Sequence, residues 1–193
     1  MIQRSLVLMK PDAVKRGIVG EILHRFERAG LKIVASKLVA ASRDLSEKHY
    51  NKDDAWKIKI GKIRLEDCAK HGIDVKTVYG TDEPLRIGHI VNESNHDYLT
   101  SGPVLAFVLE GVNCVEKVRS LIGPTYSIDA PAGTIRGDFG SESPYTSLVR
   151  KRTIFNMVHA SGNAEEAEYE ISLWFDPKEI LSYKRVHEDL YSY

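Results

Sequence analysis

The chain lacks an excess of either charge: in 193 residues, 27 Lys and Arg balance 27 Asp and Glu. No broad basic field favours nucleic acid or an anionic membrane, so any bound anion must be held by a few local cations. Cysteine is scarce. Cys68 and Cys114 lie far apart and outside any CxxC pair, which argues against a zinc site or a disulfide framework. Reduced thiols in a cytoplasmic protein are the expectation. Long apolar runs are also missing. No stretch approaches the roughly 20 apolar residues of a membrane span. The first apolar run, residues 5–9, is too short for a signal-peptide core and is closed by Lys10. Several chemical motifs are absent as well: GxxxxGK[ST], GxGxxG after a strand, HExxH and GxSxG. Walker-type phosphate cradles and Rossmann dinucleotide sites are therefore unsupported.

What is present is an ordinary globular pattern, with 42% hydrophobic residues and no internal repeat. Residues 5–9 suit a buried central strand, ended by Lys10-Pro11-Asp12 because Pro11 cannot donate to a ladder. Ile18, Ile22, Phe26 and Ala29 recur at helical spacing before Gly30, predicting a helix over 17–29. A second strand follows over 31–40, then a short helix over 42–50. Residues 51–97 turn polar, with weak periodicity. Within them, 57–63 reads as an alternating strand or as part of a basic helix, and Gly61 weakens the strand reading. The clearest buried strand is 103–109, ended by Gly111. The helix after it carries Val115, Val118 and Ile122 and stops at Gly123-Pro124. A second polar insertion covers about 140–152. A strand over 153–158 then leads to His159. The next helix begins near Asn163, with Glu166 at the capping-box position and Ala167, Ile171 and Trp174 on its apolar face. A last short helix is expected over 178–183. The order of strands and helices gives a βαββαβ core: an α+β, ferredoxin-like sandwich with an antiparallel four-stranded sheet and helices on one face. The 51–97 segment is too thin in apolar residues for its own core, so one domain, 1–193, with a helical insertion is expected.

The polar residues that stand out are Lys10, Tyr50, Arg119, Thr125, Arg136, Asn156 and His159. His159 sits where a strand hands over to a loop, close to Asn156, Ser161 and Gly162. An imidazole there is either a satisfied strand-end histidine or a nucleophile. Lys10 is a solvated loop lysine or a phosphate ligand at a strand end. Arg136 lies in a glycine-framed loop, Gly133 to Asp138, which is a surface turn or an anion clamp. Glu170 borders an apolar helix stripe and is either a surface acid or a partly shielded one. Cations and a hydroxyl around one imidazole suit phosphoryl transfer, whose transition state spreads negative charge over phosphoryl oxygens. Spacing alone does not show that these groups converge.

The sequence resembles the nucleoside diphosphate kinases. The resemblance is carried by Lys10-Pro11-Asp12, Arg16-Gly17-Ile18-Val19-Gly20-Glu21, His49-Tyr50, Ser101-Gly102-Pro103, and Gly133-Thr134-Ile135-Arg136-Gly137-Asp138. Asn156-Met157-Val158-His159-Ala160-Ser161 and Glu170-Ile171-Ser172-Leu173-Trp174-Phe175 complete it. It implies ping-pong transfer of a γ-phosphoryl group from ATP or another nucleoside triphosphate to a nucleoside diphosphate, maintaining nucleotide pools. The intermediate would be a pros-phosphohistidine at His159. Glu170 and Ser161 would orient the imidazole, and Tyr50 would reach the transferred group. Lys10 would bind the sugar hydroxyl and terminal phosphate region, Arg119, Thr125 and Arg136 the phosphates, and Asn156 the sugar. Mg²⁺ would ride on the nucleotide phosphates without a protein cage. A homo-oligomer, hexamer or tetramer, is implied too.

The chain departs from the family pattern after His49-Tyr50. The family's arginine and base-stacking phenylalanine fall at the spacing of Trp56 and Ile58. Trp56 is either a base platform or a core tryptophan of the insertion. Arg150 and Arg152 are expected to lie away from the phosphates. Two other readings compete: a nucleotide-sensing scaffold without turnover, and a phosphohistidine relay to a protein acceptor.

Overall fold

The computed structural model describes residues 2–186. In chain order the elements are β1 (Ile2–Met9), α1 (Pro11–Lys15), α2 (Val19–Arg28), β2 (Lys32–Ala40), α3 (Arg43–His49) and α4 (Asp54–Lys70). Next come α5 (Val75–Tyr79), α6 (Pro84–Thr100), β3 (Pro103–Val112), α7 (Cys114–Ile122), α8 (Ile135–Phe139), α9 (Pro144–Val149), β4 (Val158–Ala160) and α10 (Ala164–Trp174). The sheet order is β2-β3-β1-β4, with every neighbouring pair antiparallel. This is the ferredoxin-like βαββαβ arrangement.

The continuous apolar runs of β1 and β3 have a plain cause. Both faces of the sheet are covered, so both sets of alternating side chains need to be apolar. Val7, Met9, Phe107 and Leu109 meet Ile22 and Phe26 of α2 and Val118 and Ile122 of α7. Those two crossover helices share one face, as expected. Leu6, Leu8, Ala106 and Val108 meet Ala167, Ile171 and Trp174 of α10 on the opposite face. The register Leu6↔Val108 and Val7↔Phe107 holds the two sets apart.

Three local expectations change, and one open alternative, over 57–63, is resolved. Residues 153–158 do not form a strand. Met157 has φ +63°, and Val158 N–H donates to Asn156 O at 2.7 Å, so the chain makes a tight three-residue turn there. The strand begins only at Val158, which puts His159 inside β4 rather than after it. The 57–63 stretch is helix, within α4. Pro11 opens α1 instead of only ending β1, since a proline at the first helical position loses no hydrogen bond. The short helix expected over 178–183 is a single 3₁₀ turn at Pro177–Glu179.

The 51–97 segment folds as a helical hairpin, α4 against α6. Its closeness depends on two glycines: a Cβ added at Gly61 would lie 1.9 Å from Pro84 O, and one at Gly88 2.1 Å from Lys57 O. Asp53 caps α4 by accepting from Trp56 N–H at 2.8 Å. α6 is tied to α3 through His96, whose Nδ1 lies 3.0 Å from Ser46 Oγ and whose Nε2 lies 3.0 Å from Asn92 Nδ2.

Candidate active site

The turn at Met157 organises the site. Left-handed backbone at a methionine costs energy and persists only where neighbours enforce it. Here they do. Lys10 N–H donates to Met157 O at 2.7 Å, and Met157 N–H donates to Asp12 Oδ2 at 3.1 Å. Asp12 Oδ1 in turn accepts from the Tyr98 hydroxyl, and Tyr98 stacks on Phe155 at 4.5 Å between ring centroids. Arg136 holds three carbonyls around the same turn: Asn156 O through Nε at 3.1 Å, Val158 O through Nη2 at 2.6 Å, and Gly123 O through Nη1 at 2.8 Å. The guanidinium carries five N–H groups, so two remain beyond these bonds.

His159 is presented by this framework. Its Nε2 lies 2.7 Å from Glu170 Oε1, and Ser161 Oγ donates to Glu170 Oε2 at 2.6 Å. Glu170 is 2% exposed and Ser161 fully buried. With Nε2–H on the carboxylate, the imidazole lone pair is on Nδ1. Burial, and then the nearby Lys10 charge, push the His159 pKa down to about 3, so the ring is neutral at ordinary pH. Burial pushes Glu170 up, while the hydrogen bond from the Ser161 hydroxyl acts to keep it ionised. His49 packs edge-on to His159, 4.4 Å between centroids, and its Nδ1 accepts from Trp174 Nε1–H at 3.3 Å. Burial drives its pKa well below the usual value, so it too is neutral.

His159 opens into a cleft of about 370 Å³. Lys10, Tyr50, Trp56, Arg119, Thr125, Arg136 and Asn156 line that same cleft. Sequence spacing could not show this convergence. Lys10 Nζ donates to Asn156 Oδ1 at 2.8 Å, and burial plus the Arg136 charge lower its pKa to about 7. Burial and the neighbouring Arg119 lower Arg136 to about 10. Burial raises the Tyr50 hydroxyl. Asn156 Nδ2–H donates to Thr125 O at 3.2 Å. Arg119 is exposed at the mouth, with no carboxylate partner among the described residues. The cleft thus gathers cations around a neutral imidazole in a chain of zero net charge. A buried cation cluster with depressed pKa values is poised for an anion that would restore them.

Glu166 is the one carboxylate lining the cleft among the described residues. Its Oε2 accepts from Gly162 N–H at 2.5 Å, so the capping-box position serves the residue before the N-cap, while Asn163 caps the helix by accepting from Glu166 N–H. Arg150 and Arg152 do not line the cleft; Arg152 pairs with Glu142 at 2.8 Å.

Comparison with known proteins settles the family. The nucleoside diphosphate kinase family model matches residues 3–58 and 88–180. The chain belongs to the nucleoside diphosphate kinase family. A nucleoside diphosphate kinase of Pyrobaculum aerophilum is 46% identical over 180 residues, covering 93% of this chain and 98% of that one. A crystal structure of an NDP kinase from the same organism superposes with TM-score 0.91 at 44% identity, over 94% of this chain and 100% of that one. A structure described as a transition-state mimic of the Borrelia burgdorferi enzyme with bound vanadate and ADP gives TM-score 0.76 at 37% identity. It covers 97% of this chain and 95% of that one. The protein is a nucleoside diphosphate kinase, a phosphotransferase that exchanges phosphoryl groups between nucleoside tri- and diphosphates. The family model leaves residues 59–87 unmatched, which fall within α4, α5 and the start of α6.

The α4–α6 hairpin, only part of which is unmatched, supplies lining residues that sequence reasoning missed. Ile60, Arg64, Val91 and Asn95 join Trp56 on the cleft wall. Trp56, Ile60 and Arg64 stand four residues apart on α4, as Val91 and Asn95 do on α6. The i, i+4 spacing was a usable signal, masked because the stripe mixes aromatic, aliphatic and charged residues.

Proposed function

We propose that the kinase works by double displacement through His159. Nδ1 of the neutral imidazole attacks the γ-phosphorus of a nucleoside triphosphate. The N–P bond forms as the bond to the β,γ-bridging oxygen breaks, and the nucleoside diphosphate leaves with that electron pair. A terminal β-phosphate oxygen of a second nucleoside diphosphate then attacks the phosphohistidine, and the N–P electrons return to Nδ1. Glu170, fixed by Ser161, holds the Nε2 proton and balances the charge that phosphorylation puts on the ring. Lys10 and Tyr50 reach the transferring group. Arg119, Thr125 and the spare N–H groups of Arg136 hold the other phosphates, and Asn156 with Lys10 binds the sugar hydroxyls. The observation that carries this reading is the 2.7 Å contact between His159 Nε2 and Glu170, which leaves Nδ1 facing a cleft lined by cations.

Mg²⁺ would enter on the nucleotide phosphates. With Glu166 the one lining carboxylate described, the cleft has no octahedral oxygen set of its own. The metal supplies charge neutralisation of the phosphate chain when bound. The 1–193 chain acts as one kinase domain, with the α4–α6 hairpin and the 140–152 segment inserted into it, and Trp56 as the base platform. A homo-oligomer, hexamer or tetramer, is part of the same reading; the β2 edge, met at Val34 by Leu181 N–H at 2.8 Å but carrying Leu38 63% exposed further along, supports it. A cytoplasmic location fits the nucleotide substrates and the two buried free thiols; no described helix is long and apolar enough to cross a membrane.

The test is a charge-and-chase experiment. Radiolabelled ATP with Mg²⁺ should leave acid-labile, base-stable label on His159, and GDP should remove it. Absence of label favours a non-turning scaffold, and label that GDP cannot remove favours a relay to a protein.

A further inference from the structure

The α4–α6 hairpin adds more to the cleft than a stacking surface. Arg64 lines the cleft yet is only 7% exposed. Its Nη1 donates to Asp67 Oδ2 at 3.2 Å and to Ser147 Oγ at 3.4 Å. Asp67 Oδ2 also accepts from the Tyr126 hydroxyl at 3.2 Å, and the guanidinium sits 5.8 Å from the Tyr126 ring centroid. One edge of Arg64 is therefore fixed. Nε and Nη2 have no protein acceptor among the described residues, and neither is sealed from solvent.

Two facts say what Arg64 is for. Asp67 neutralises its charge locally, which makes it a poor phosphate clamp and a good donor to a neutral carbonyl. It is also held by Asp67, Ser147 and Tyr126, with no bond to Lys10, Arg136 or His159 among the described residues, and stands eight residues beyond Trp56 on α4. Asn95, on the facing helix, is equally one-sided. Its Oδ1 accepts from the Thr153 hydroxyl at 2.5 Å, which fixes the amide and uses one of its two acceptor lone pairs, while neither Nδ2 hydrogen has a protein acceptor among the described residues. An asparagine normally reads adenine by accepting from the amino group while donating to N7. Here half of the acceptor capacity is taken by Thr153 and both donor hydrogens are free, so the amide offers chiefly its N–H side.

We propose that Arg64 and Asn95 form a base-reading edge that prefers 6-oxopurines, the guanine and hypoxanthine nucleotides, over adenine. This rests on the nucleotide cleft assigned above. Arg64 donates to O6 and N7, Asn95 Nδ2 donates to the same edge, and the base lies against Trp56. Adenine presents an amino donor where O6 would be, and two donors then face each other without an acceptor.

The measurement is kcat/KM for GDP, IDP and ADP as acceptors, from enzyme charged at His159. The expected GDP-to-ADP ratio is about tenfold or more, with IDP close to GDP, since one lost hydrogen-bonded contact in a formed site is worth that much. Arg64→Met should bring the ratio towards one. Asn95→Asp, which replaces the amide donor by an acceptor, should lower it too, and circular dichroism with a thermal melt confirms that each variant is folded. Equal kcat/KM for GDP and ADP in the parent enzyme overturns the proposal, as does a ratio unchanged in both folded variants. Failure to charge with any nucleotide instead overturns the double-displacement reading, so the two failures are distinct.

Discussion

The two ends of the cleft are built in opposite ways. The proposed phosphate end is assembled from short, separate segments: Lys10 after β1, the Asn156–Val158 turn, His159 in β4 and Arg136 on α8. Its backbone is strained at Met157, and side-chain donors hold it carbonyl by carbonyl. The proposed base end is one face of a helical hairpin, with regular backbone and a glycine-dependent contact between its helices. A fixed reaction needs atoms held to a fraction of an ångström, and a constrained turn supplies that. Reading a base needs a surface, and a helix face can vary its side chains without moving its backbone. The difference predicts that damage at the first end destroys turnover, while damage at the second changes which nucleotide is used and how tightly.

The largest break in that contrast is at His159. His159→Ala should lower turnover by about 10⁴-fold or more, measured in a coupled assay, with the fold intact by circular dichroism. Glu170→Gln should lower kcat by about 100-fold with KM little changed, because the ring keeps its pocket and loses its charge partner. Steady-state kinetics checks the split; a pure KM effect contradicts the positioning role. Gly61→Ala tests the hairpin. Its Cβ would meet Pro84 O, so stability should fall by about 3 kcal/mol and Tm by roughly 6–12 °C. The remaining folded enzyme should still charge at His159. Trp56→Ala should raise KM for every nucleotide by about tenfold, the worth of one aromatic stack, and leave kcat nearly unchanged.

The smallest effect is the pH profile. Lys10 is charged below its lowered pKa of about 7 and loses its proton above it, whereas His159, near 3, is already neutral. In the free enzyme kcat/KM for a nucleoside triphosphate should therefore decline as pH rises through about 7, with no acid limb from His159 above about 4. A Lys10→Arg variant, which cannot deprotonate, should flatten that decline.

How much of this was legible in the sequence follows the same division. The sheet was legible because β1 and β3 are apolar on both faces and the helices between them are amphipathic. The phosphate end was legible through local motifs around Lys10, Arg136 and His159, and through resemblance. Two things were not. The turn at Met157 left no mark, because a methionine gives no hint of left-handed backbone; Lys10, Asp12 and Arg136, distant in sequence, impose it. The hairpin hid its role because Arg64 and Asn95 acquire meaning only from Asp67 and Thr153, which consume one side of each.

The central claim is that Nδ1 of His159 carries the phosphoryl group while Glu170 holds Nε2. Protein labelled with ¹⁵N-histidine, charged with a nucleoside triphosphate and read by NMR, tests it directly. The account predicts phosphorus on Nδ1 of His159, lost when a nucleoside diphosphate is added. Phosphorus on Nε2 or on another residue, or turnover with no phosphoenzyme, would contradict it.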